Sequence, residues 1–271
     1  GGPMTLENVK QVCHATALFA RKCLEMGGIL PLFPSVGYGG PGFNFLEIFC
    51  DLGYSELLSQ MGIAIHPYRG AYPLNWGTDY VLTEMTREEY NSYHPWCWDV
   101  GKPDYRSLEM VNQWRREEIT ERQKYITLEE KISHYNYGWF TIDWAAHQLE
   151  KYGIDPADKF FLTECGVEVG SKDIKGIFPR VDPKQHCKFT LEQIYAAESD
   201  PRIVMTAFWI AGNMKYSGNT PNWETQAYES DWYNPSIVEL PWAEQIITPG
   251  RLPVVDELIR LNKESMPMKS K

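Results

Sequence analysis

Apolar positions recur every three or four residues from Thr5 to about Met26. Leu6, Val9, Val12 or Cys13, Ala17, Ala20 and Leu24 form one stripe, the period of a helix packed along one face. Thr5 carries the hydroxyl of an N-cap, and Gly27 with Gly28 supplies the stop. A short apolar run, Ile29 to Phe33, is too brief for a helix and reads as a buried strand, although Pro31 has no amide proton to give a ladder. After a glycine-rich loop at 37–42, the pattern predicts helical pieces from Phe43 to Cys50 and onward to Met61. A second strand, Ile63 to His66, follows. The stretch from Pro67 to about Lys131 is aromatic and polar, and its second half, Leu108 to Glu130, has the charge density of a solvated helix. Beyond it the spacing predicts an amphipathic helix over Ile132–Tyr152, stopped by Gly153, and a strand over Lys159–Cys165. A helix over Phe189–Ala197, a strand over Arg202–Ile210 and a last helix over Val254–Leu261 complete the order.

Continuous apolar strands separated by amphipathic helices imply a parallel sheet covered on both faces. The loops after the strands are long and polar, and those leading into them are short. That asymmetry is the mark of a (β/α) barrel, whose site is built from loops at the strand C-termini. The expected class is therefore α/β of the (β/α)8 TIM-barrel type, with about four β/α units visible. Residues 1–271 read as one such domain, or its C-terminal half, with a long insertion at about 67–131. A dinucleotide-binding sheet is the alternative, but no G-x-G-x-x-G follows the first strand.

Composition excludes several classes. At 43% hydrophobic and 23% charged the chain is a folding sequence rather than a disordered one. Its net charge is −10, and the compact basic clusters are Arg115–Arg116 and the tail Lys269–Lys271, so a nucleic-acid partner is not expected. No apolar run approaches the ~18 residues of a membrane span. The six cysteines show no C-x-x-C spacing, and Cys13, Cys23, Cys50 and Cys165 fall within apolar patterns, as reduced structural cysteines do. The histidines lack H-x-x-x-H and H-E-x-x-H spacing, and neither a P-loop nor a G-x-S-x-G elbow is present; no metal and no cofactor is expected. His14 reads as a surface or satisfied histidine. Asp143 and His147, four apart on one helix, read as an ion pair.

The chemistry gathers at three strand ends. The second strand finishes in Ile65, His66, Pro67 and Tyr68, the third in Thr163, Glu164, Cys165 and Gly166, and the fourth in Phe208 and Trp209. A carboxylate ending an apolar strand is costly to bury unless it is paired or used. Parallel strands would bring Glu164, His66 and Trp209 to one face. Cys165, next to Glu164, would point the opposite way into the core. Aromatics make up 14% of the chain, including 10 Trp. Flat indole faces suit the C–H faces of a pyranose. Trp76, Trp96, Trp98 and Trp223 could line subsites beside Trp209, or else pin down long loops. Asn213 and Tyr216 are candidate hydrogen-bonding partners for a sugar.

The succession H-P-Y, T-E-C-G and F-W resembles the sixth, seventh and eighth strands of the retaining glycoside hydrolases of the (β/α)8 superfamily, over about residues 5–262. The resemblance implies a carbohydrate substrate, with Glu164 as the nucleophile, His66 and Tyr68 touching the nucleophile or the sugar, and Trp209 as the floor of a subsite. It also implies an acid/base Glu after the fourth strand, normally in an Asn-Glu pair, and this sequence contains no Asn-Glu pair. The first helix resembles the one that follows that strand. The expectation is therefore that an upstream segment or a second chain completes the barrel and brings the acid/base. Glu84 or Glu168 from the loops is the other source considered. The alternative is a barrel without catalysis that serves as a carbohydrate-binding or structural module.

Overall fold

The computed structural model describes residues 5–35, 43–135, 138–173, 175–208 and 243–265. The chain opens with α1 (Leu6–Met26), capped by the Thr5 hydroxyl, which accepts from the Asn8 amide at 3.2 Å. Its buried stripe is Val9, Cys13, Ala17, Ala20 and Cys23, close to the face that the periodicity picks out. Strand β1 (Leu32–Phe33) follows and is only two residues long. Pro31 and Pro34 bracket it, and a proline nitrogen cannot extend a ladder in either direction. Then come α2 (Phe45–Phe49), a π-helical turn over Cys50–Tyr54, α3 (Ser55–Ser59) and β2 (Gly62–Ile65).

The insertion carries α4 (Arg87–Ser92), α5 (Leu108–Arg122) and α6 (Leu128–His134). The continuous helix expected over 132–152 is divided. Helix α6 stops at His134, a 3-10 turn spans Gly138–Phe140, and α7 runs over Thr141–Lys151. Gly138 sits at φ +63°, where a side chain is strained, and its Cα faces the backbone of Tyr68 and Arg69. Strand β3 (Phe160–Cys165), α8 (Pro183–Ser199), β4 (Ile203–Phe208) and α9 (Pro253–Ser265) follow, with short 3-10 turns at Pro95–Trp98 and Ala243–Gln245. Helix α8 starts six residues earlier than the apolar spacing suggests. Asp182 and Gln185 form a capping box there, with Pro183 in the first turn.

The four strands form one parallel sheet in the order β1-β2-β3-β4, so this is a mixed α/β fold with each strand beside its successor. The core lies between Phe33, Ile63, Ile65, Phe160, Leu162 and Cys165 of the sheet and Phe49, Leu58, Ile142, Ala145 and Leu149 of the helices. Strand β4 is barely covered on its outer side: Val204 is 48% and Met205 43% exposed.

One buried charge cluster ties the insertion to the loop after β3. Asp99, wholly buried and in the left-handed region at φ 58°, receives Arg180 Nε at 2.7 Å, with Lys172 and Arg106 within 3.8 Å. Arg106 also donates to the carbonyls of Phe178 and Cys97, both at 2.7 Å. Such a cluster holds because each buried charge meets an opposite charge or a backbone dipole. All six cysteines are free thiols, five of them buried. Asp143 does not pair with His147. Arg202, at the start of β4, takes its carboxylate at 2.9 Å, since a guanidinium offers a fixed fork of donors. His14 is satisfied by the Tyr54 hydroxyl at 2.8 Å.

Candidate active site

The site begins with sheet register. Strands β2 and β3 pair Ile63 with Phe160, Ala64 with Phe161 and Ile65 with Leu162. One step further along, His66 stands beside Thr163, and residues level with one another in a parallel pair face the same way. His66 Nε2 lies 3.0 Å from Thr163 Oγ1. Strict alternation would then turn Glu164 to the other face. It does not, because β3 is irregular at this point. Leu162 is level with Thr206 and Cys165 with Phe208, so Thr163 and Glu164 together face the single residue Ala207. This is a β-bulge, which bends its strand and re-aims a side chain.

The bulge carries the Glu164 carboxylate to the His66 side of the sheet. Oε2 is 3.6 Å from His66 Nδ1 and accepts a hydrogen bond from the Tyr68 hydroxyl at 2.6 Å. Among the described residues Oε1 takes no hydrogen bond. Burial, and then the bond to Glu164, push the Tyr68 phenol well above its ordinary value, so it stays a proton donor to the carboxylate. Glu164 and His66 are each about one-third exposed at the side chain, 33% and 28%, which leaves the pair open to a ligand.

Backbone contacts hold Tyr68 in place. It forms a parallel bridge with Gly166, and the Arg69 amide donates to the Gly166 carbonyl at 3.1 Å. Arg69 is buried against α8: Nη1 pairs with Glu192 at 2.7 Å, and its guanidinium lies 3.8 Å over the Phe189 ring. The loop after β2 is thereby fixed both to the end of β3 and to the next helix.

Glu164, His66 and Tyr68 are the sequence candidates that the fold brings together. Trp76 is not part of this group. It is 3% exposed, packed among Tyr72, Tyr80, Tyr135 and Phe178, with the Arg122 guanidinium 4.3 Å over its ring. An indole enclosed on its faces has none to offer a sugar, so Trp76 is a loop anchor. Trp96 and Trp98 are buried in the same manner, Trp98 stacked on Tyr90 with ring centroids 4.7 Å apart. Trp209, Asn213, Tyr216 and Trp223 lie outside the described residues. Glu84 is paired on the surface with Arg116 at 3.0 Å. Glu168 is near enough for its charge to bear on the Tyr68 phenol. Cys165 is fully buried, on the core side of the bulge.

Sequence reasoning missed Thr163. Its signal was present in the equal lengths of the runs Ile63–Ile65 and Phe160–Leu162, each followed at once by a polar residue. Among the described residues no group of three or more His, Cys, Asp and Glu is placed to hold a metal ion, and no helix is long and apolar enough to cross a membrane. In comparisons with known proteins the chain matches no family model, no curated protein and no solved structure.

Proposed function

We propose that this chain is the nucleophile-bearing part of a retaining glycoside hydrolase, acting on a β-linked sugar or polysaccharide through Glu164. One observation carries the reading: a strand-end carboxylate takes a 2.6 Å hydrogen bond from a phenol in the loop after the adjacent parallel strand, while among the described residues its other oxygen takes none. The sequential order of the parallel strands supports a (β/α)8 barrel, in which successive units lie side by side. The strands would then be the fifth to the eighth.

In this reading Glu164 Oε1 forms a bond to the anomeric carbon as the bond to the leaving oxygen breaks. The electron pair passes to that oxygen, which takes a proton from the acid/base. Water, deprotonated by the same group, then attacks the anomeric carbon and frees the carboxylate. In this reading the acid/base is a further carboxyl brought to Glu164 from an upstream segment, from a second chain or from a loop glutamate such as Glu168. Aryl glycosides with activated leaving groups test the nucleophile regardless, since they need little acid assistance. Across a panel of these, Glu164→Gln is expected to lose turnover on the order of 10³-fold or more while keeping its fold. Wild-type turnover in that variant would overturn the assignment.

The absence of an Asn-Glu pair favours a second reading, a barrel that binds sugar and does not cleave it. Oligosaccharide binding by the wild-type chain, with every activated glycoside left intact, would select it.

A further inference from the structure

We infer that Thr163 is a positioning residue that fixes His66 as its Nδ1–H tautomer and thereby aims a second donor at Glu164. The imidazole lies between two oxygens: Nε2 is 3.0 Å from Thr163 Oγ1, and Nδ1 is 3.6 Å from Glu164 Oε2. An ionised carboxylate only accepts. A bare Nδ1 lone pair turned toward it would be repelled, whereas Nδ1–H is attracted. With the proton on Nδ1, Nε2 must accept, and the hydroxyl of Thr163 is the donor at hand. The tautomer of a histidine is set by the bond its other nitrogen makes.

The consequence for Glu164 is directional. Tyr68 and His66 both address Oε2, so charge is held there and Oε1 is left as the attacking oxygen. This catalytic consequence rests on the glycosidase reading; the tautomer itself does not. The bulge makes the arrangement possible, since only there can consecutive residues Thr163 and Glu164 both reach one imidazole.

The test uses the full chain labelled with ¹⁵N-histidine. Long-range ¹H–¹⁵N correlation, at a pH where the imidazole is neutral, reads the His66 tautomer, with His66→Gln assigning its signals. Wild type and Thr163→Ser are expected to show Nδ1–H, and Thr163→Val to lose that preference. An Nε2–H wild type, or a Thr163→Val spectrum like that of wild type, overturns the inference. If the valine variant fails to fold, Thr163→Ala removes the same hydroxyl and is expected to lose the preference likewise; an unchanged tautomer there overturns the inference. On an activated aryl glycoside, Thr163→Val is expected to lower kcat by about 3- to 10-fold with KM little changed, and serine to restore it. Failure of the glycosidase reading shows separately, as Glu164→Gln matching wild type while the tautomer result stands.

Discussion

Tyr68 and Glu164 meet because two neighbouring strand ends are prolonged by polar residues, and the energy of their contact is that of a hydrogen bond to a charged acceptor. Removing only the hydroxyl isolates it. On the glycosidase reading, Tyr68→Phe is expected to cut turnover of an activated aryl glycoside by about 10- to 100-fold, the range of a bond to a charged group. Circular dichroism should stay unchanged, since the ring and the bridge to Gly166 remain. Unaltered kinetics would mean that the phenol does not serve the carboxylate. His66, Tyr68 and Glu164 were legible in the sequence because each interrupts or ends an apolar run. Trp76 was not, since a loop indole gives no sign of whether its faces will meet a ligand or Tyr72 and Phe178. Thr163 was hidden for another reason: its role comes from cross-strand register and a bulge, and neither leaves a mark on one strand read by itself.

Helix α8 shows what element-level reasoning can and cannot reach. Its apolar spacing predicted a helix, but its start was set by the side chains of Asp182 and Gln185 closing on the backbone. Likewise the expected long helix ends at His134, with Gly138 at positive φ opening the turn before α7, and the prolines shorten β1; each is a local effect that overrides periodicity. The inner face of α8 buries His186, with Thr190 and Gln193 beside it. Full burial lowers the His186 pKa from its ordinary 6.5 to about 4. The unfolded chain therefore takes up a proton near 6.5 that the folded chain refuses until about 4. Stability should be complete above the first value and fall as pH drops through that window. Urea midpoints measured from pH 7 to pH 4 are expected to decline, and His186→Met should flatten the decline. An equal slope in the variant would place the acid sensitivity elsewhere.

At the scale of the whole molecule, the sheet among the described residues runs from β1 to β4. The described residues place no strand beyond β1 or β4, and β4 leaves Val204 and Met205 facing outward. Unpaired edges with apolar side chains recruit other chains. The 271-residue chain alone is expected to sediment above the mass of one copy, and Val204→Lys combined with Met205→Lys to move it toward that mass. A wild-type chain that sediments as a single copy would show that the margins need no cover. The parallel order of the sheet was legible from apolar runs alternating with amphipathic helices, whereas the packing of residues 67–131 was not, because buried ionic ties such as Asp99 with Arg180 leave no periodic trace. Those ties join the insertion to the segment after β3 and do not involve the outer strands. The loop that follows the Glu164 strand is thus moored by the insertion as well as by the sheet.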